Sequence, residues 1–135
     1  MTTSEIGDIV YAHCKRLSVA DVRRGWNVGR GEAASERVCV TVKPATLSGR
    51  WCRAFVEVNV CVPDIQGEAD LVRLADLERE YSAAFGLNTG VRRGARYRFR
   101  REAAGLMDDA AMRLHYVNIR VLFEFIHVIE QWQEN

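Results

Sequence analysis

Residues 51–63 read WCRAFVEVNVCVP, and polar and apolar positions alternate along the stretch. Side chains of an extended chain point to opposite sides in turn, so Ala54, Val56, Val58, Val60 and Val62 share one face. Arg53, Phe55, Glu57, Asn59 and Cys61 share the other, which predicts a strand with one buried and one partly solvated side. Pro63 brings no backbone donor and ends the ladder, and residues 64–67 supply turn chemistry. From Ala69 the period becomes helical, with Leu71, Leu74, Leu77, Tyr81 and Phe85 along one stripe. A strand that turns directly into an amphipathic helix requires a sheet with that helix laid on its valine face.

The flanking segments extend this unit. Residues 4–17 predict a first helix, capped by Thr3 or Ser4, with Ile6, Ile9, Val10, His13 and Leu17 as its apolar stripe. Trp26 and Val28 suggest a short strand ended by Gly29 and Gly31. Residues 37–43 predict a strand with Val38, Val40 and Val42 inward and Arg37, Cys39 and Thr41 outward. A turn-rich connection from Pro44 to Arg50 joins it to the long strand as a hairpin. Pairing Val38 with Val56 and Val40 with Ala54 keeps the valine faces together and sets Arg37 opposite Glu57. Beyond the second helix, residues 86–94 read as a loop. Tyr97 and Phe99 then alternate with Arg96, Arg98 and Arg100. Residues 102–112 fit either a helical turn or a long hairpin loop. Residues 114–129 alternate again, with Val117, Ile119, Val121, Phe123 and Phe125 opposite Tyr116, Asn118, Arg120, Leu122 and Glu124. The expected order is helix, short strand, hairpin, helix, hairpin. That is one α+β domain over residues 1–135, with a largely antiparallel sheet and helices packed on one face.

Composition excludes several classes. The net charge of +1 offers no overall field for nucleic acid or an anionic membrane. No run approaches the ~20 apolar residues that span a bilayer, and residues 1–16 lack the pattern of a secretory signal. The four cysteines, Cys14, Cys39, Cys52 and Cys61, form no CxxC pair and have no histidine at zinc spacing. Two of them sit mid-strand among valines, where a free cysteine behaves as a small apolar residue, and the set suits a reduced, cytoplasmic protein.

Chemistry-bearing constellations are sparse. Gly29, Arg30 and Gly31 lack the further glycine of a dinucleotide loop and the Lys-Ser/Thr of a phosphate loop. His13, His115 and His127 are scattered, and the adjacent Asp108 and Asp109 offer too few oxygens for a hard cation. No catalytic, cofactor or metal residue is assigned. The loudest local signal is basic: Arg92, Arg93, Arg96, Arg98, Arg100 and Arg101. Such a row can grip a phosphate backbone, which keeps a nucleic-acid-binding module as the alternative function. Tyr97 and Phe99 alternate onto the opposite face, however, so they cannot stack bases beside those arginines.

The order of elements, with VNVCVPDIQGEADLVRLADLE and the later HYVNIRVLFEF, resembles the tail-terminator or tail-completion (minor tail) proteins of tailed phages and prophages. That resemblance implies a structural subunit without catalytic residues. It implies a homo-oligomeric ring of six subunits at the head-proximal end of the tail, meeting tail-tube and head-connector proteins. It also implies assembly in the bacterial cytoplasm and residence in the virion tail. The expected subunit contact is the outer sheet face, with Arg37, Phe55, Glu57 and Arg96 joined by Arg98, Arg100, Tyr116 and Arg120.

Overall fold

The computed structural model describes residues 1–26, 35–46 and 50–127. Two helices lie on one face of a six-stranded sheet. The elements run α1 (Thr3–Cys14), β1 (Val22–Arg24), β2 (Arg37–Val42), β3 (Cys52–Pro63), α2 (Leu71–Ala84), β4 (Asn88–Arg92), β5 (Ala95–Asp109) and β6 (Leu114–His127), with a 3-10 turn at Ala110–Met112. Across the sheet the order is β1-β2-β3-β6-β5-β4, with only β1 and β2 parallel. This is the α+β architecture that the alternating stretches imply.

The helices form where their apolar spacing meets an end signal. Thr2 and Glu5 make a reciprocal capping box at the start of α1, one residue before the caps the sequence suggests. Ile6, Val10 and Cys14 are fully buried along α1. Asp70 caps α2 by accepting from the Arg73 amide at 3.2 Å. Leu74, Leu77, Tyr81 and Phe85 of its stripe are buried, but Leu71 is 63 % exposed. Leu71 is the first residue of the helix and lies outside the core, so the buried stripe is one turn shorter than its spacing suggests.

The valine face behaves as expected. Val56, Val58 and Val60 of β3 are fully buried, as are Val117, Ile119, Val121 and Phe123 of β6. Tyr97, Phe99 and Phe123 stack across β5 and β6. The β2–β3 register differs from the expected pairing: Val38 lies opposite Val60, Val40 opposite Val58, and Arg37 opposite Cys61 rather than Glu57. The shift is even, so the faces are kept and the burial pattern alone cannot detect it. Pairing that persists past β2 fixes the register. The Lys43 amide donates to Phe55 O at 2.8 Å, and Thr46 and Arg53 exchange hydrogen bonds.

Three segments fold otherwise than their local pattern predicts. The first strand is Val22–Arg24, ahead of Trp26, and Val28 lies outside the described residues. Asn88–Arg92, read as loop, is the edge strand β4. It joins β5 through a two-residue turn in which Arg93 (φ 48°) and Gly94 (φ 77°) are both left-handed, the hairpin geometry that matches strand twist. Gly90 sits against the Tyr97 ring, where no Cβ fits. Residues 102–109, ambiguous in the sequence, continue β5 beyond a bulge between Arg101 and Ala103.

Candidate functional site

The sheet face turned away from the helices carries the residues singled out for contact, and it divides into two parts. Near β1 and β2 it is closed. Arg37, expected outward, is only 2 % exposed and donates from Nη2 to Ser35 Oγ at 2.9 Å. Cys39, Cys61 and Leu114 form a second small core with Met112 and Tyr116. The Trp26 ring lies 5.0 Å from the Tyr116 ring. Arg37 is therefore an interior residue of the domain, and Cys39 and Cys61 are not solvated.

Towards β5 the face is open and polar groups are organised on it. In register, Glu57 lies opposite Arg120, Phe55 opposite Leu122, and Arg53 opposite Glu124. The Arg120 guanidinium sits 4.0 Å above the Phe55 ring. Asn118 donates from Nδ2 to Glu57 Oε2 (3.0 Å) and to Asn59 Oδ1 (2.7 Å). Glu124, 7 % exposed, receives Arg98 Nε at 3.1 Å and faces Arg53 Nη2 at 3.5 Å. The same Arg98 guanidinium lies 4.6 Å from the Trp51 ring centroid. A cleft of about 420 Å³ opens there, lined by Trp51, Thr89, Val91, Arg96 and Arg98 among others. Arg96 and Arg100 are exposed beside it.

The arginine row is thus divided among separate tasks. Arg98 neutralises Glu124, Arg92 reaches Glu5 at 3.5 Å, and Arg101 Nη1 donates to the Ser82 carbonyl at 2.6 Å. Tyr97 and Phe99 pack into or against the core on the helix side, away from Arg96, Arg98 and Arg100.

The histidines stay apart. His13 donates from Nε2 to Ala84 O at 2.7 Å and packs edge-on against Phe85 and Phe99, tying α1 to the end of α2. His115 Nδ1 meets Asp64 Oδ1 at 2.7 Å at the Pro63 turn. His127 lies 3.3 Å from the Met1 amine. Among the described residues no three His, Cys, Asp or Glu side chains converge as metal ligands. Neither the Cys14 nor the Cys61 thiol is activated. Burial pushes Cys14 up to about 12, and Cys61 is raised by its hydrogen bond with Cys39 and then by burial. Burial also raises the Tyr116 phenol.

Sequence reasoning missed Trp51 and the pair Asn59 and Asn118. The signal for the asparagines was present: both hold the outward parity of long valine-rich strands, where an amide needs a neighbour. No protein-family model matches the sequence, and no curated protein does. In fold the chain is similar to a solved structure whose name describes no activity, with a TM-score of 0.61, 18 % identity and 94 % of each chain covered.

Proposed function

We propose that this protein is a non-enzymatic structural subunit of phage or prophage tail assembly. In this reading it is a tail-terminator or tail-completion protein that joins its copies into a ring at the head-proximal end of the tail. The observation that carries the reading is the open half of the outer sheet face. There Phe55 under Arg120, Glu57 bound by Asn118, and Glu124 held by Arg98 form a fixed apolar and charged mosaic. Side chains already locked by their neighbours lose little entropy on docking. An apolar centre supplies affinity, while a charged surround sets register. The contact residues in this reading are Phe55, Glu57, Arg96, Arg98, Arg100 and Arg120; Tyr116 borders them from the closed part, and the buried Arg37 is left out.

The test is assembly with a partner. Purified protein, alone and with tail-tube protein, is measured by sizing chromatography with light scattering. Wild type is expected to form a closed ring on the tube end. Phe55→Glu and Arg100→Glu are each expected to stay folded, by circular dichroism, and to lose the ring. Wild type that never joins the tube, or variants that assemble normally, would overturn the reading.

A further inference from the structure

β5 outruns the strand beside it. β4 pairs only with residues 95–99 of β5, and the Arg101 amide is taken by the Phe85 carbonyl at 2.7 Å. From Ala103 to Asp109, beyond the bulged Glu102, one side of β5 pairs with β6; among the described residues no strand pairs the other. The helices do not cover this arm, and Leu106 (46 %) and Met107 (49 %) are exposed. Alternate residues along such an edge hold their N–H and C=O groups outward, a template for another strand. The guards stand only at the two ends, the bulge and Glu102 at one and Asp108 and Asp109 at the other; between them residues 103–107 read AAGLM, with neither charge nor proline.

The sheet margin is therefore a step, low along residues 102–109 and raised along β4. Its ends carry opposite charge. Asp108 and Asp109 close the low part, Asp109 also accepting from the Met112 amide at 3.2 Å. Arg92 and Arg93 turn the end of β4; both reach Glu5 of α1, at 3.5 and 3.7 Å, yet the Arg93 side chain stays 81 % exposed and open to a further carboxylate. Val91, 68 % exposed, and Leu87, 67 % exposed, give β4 an apolar margin to match Leu106 and Met107.

We propose that this step is a docking edge for a second copy of the same chain, each copy laying its β4 along the other's residues 102–109. A two-fold axis roughly perpendicular to the sheet near Arg101 produces this contact, and it is self-complementary. Each basic turn then meets the other copy's acidic end, and Val91 comes within reach of Met107. The symmetry makes the new pairing parallel. The simpler arrangement, two β5 arms side by side and antiparallel, brings Glu102 against Asp108 and Asp109; like charges facing across strands oppose it. The contact is separate from the outer sheet face and does not rest on the assembly reading above.

Sedimentation equilibrium over a concentration series, paired with amide hydrogen exchange, tests the edge. Wild type is expected to dimerise reversibly, with slowed exchange confined to residues 88–92 and 102–109. Arg93→Glu and Asp108→Lys are each expected to weaken the dimer about tenfold or more, and the double variant to recover it. Circular dichroism checks that each variant is folded. A protein monomeric at all concentrations overturns the proposal. So does a dimer indifferent to both reversals, or one that leaves residues 102–109 exchanging freely. A ring with tail tube whose residues 102–109 exchange freely would also overturn the edge while leaving the assembly reading standing.

Discussion

Replacing Val58 by alanine tests the packing on which the rest of the molecule depends. Val58 is fully buried at the middle of β3, between Val40 on β2 and Ile119 on β6. The change removes two CH₂-sized groups, about 1.6 kcal/mol of transfer free energy. A cavity that fails to collapse adds up to roughly 1 kcal/mol. A chain of this length loses roughly 3–6 °C of melting temperature per kcal/mol. Thermal unfolding followed by circular dichroism should therefore fall by roughly 10 °C. The matched control is Val72→Ala on α2, where the valine is 77 % exposed. There the expected change is within about 0.5 kcal/mol. Equal melting temperatures for the two variants would refute the claim that the β3 valines lie beneath the helices.

Leu74→Ala should cost about 2–5 kcal/mol in a urea titration and Leu71→Ala almost nothing, because only Leu74 is buried; similar costs would contradict the short stripe of α2. Gly90→Ala must displace the Tyr97 ring and should lower the melting temperature, whereas Gly105→Ala, with open space around it, should not. An unaffected Gly90→Ala protein would place β4 elsewhere. The Cys14 thiol, raised from 9.0 to about 12, is neutral in both folded and unfolded chains below pH 9. Above that pH the unfolded chain ionises first, so stability falls from pH 9 towards 12, by about 4 kcal/mol at most from this group. Urea midpoints for wild type and Cys14→Ala should converge over that range, and parallel curves would reject the assignment. Finally, DNA titrations should show no binding that steepens as salt falls, since Arg92, Arg98 and Arg101 are already engaged.

The parts of the fold written in a repeating pattern were legible. The valine parity of β2, β3 and β6 and the stripe of α2 follow from burial on one side, which a sequence records residue by residue. What was not legible depends on partners distant in sequence. β4 has few apolar residues because it lies at an edge, and NTGVR takes its strand form from β5. The four-residue difference in the β2–β3 register leaves every side chain on its expected face, so only continued backbone pairing decides it. Arg37 alternates outward as expected, yet it is buried, because the outer face at that end carries a second small core. On the candidate site, Phe55, Glu57 and Arg120 were found on the right face. Trp51 meets Arg98 through neighbours distant in sequence that no local spacing reveals, whereas the outward parity of Asn59 and Asn118 was visible and only their bond to each other was not.

The strand order has a consequence for how the chain reaches this state. β3 and β6 lie side by side at the centre of the sheet, pairing Cys52 with Phe125 and Pro63 with Leu114. The middle of the molecule therefore joins the first half of the chain to the last strand described. During synthesis β2, β3 and both helices emerge before β6, so one margin of β3, rich in valine, stays open until β6 appears. Long-range closure of this kind is slow, and an open apolar strand is the part of a nascent chain most prone to wrong pairing. Docking of β6 on β3, through pairs such as Val121 with Val56 and Phe123 with Ala54, is therefore expected to be a late step, so that Val121→Ala should slow refolding less than it speeds unfolding in stopped-flow traces.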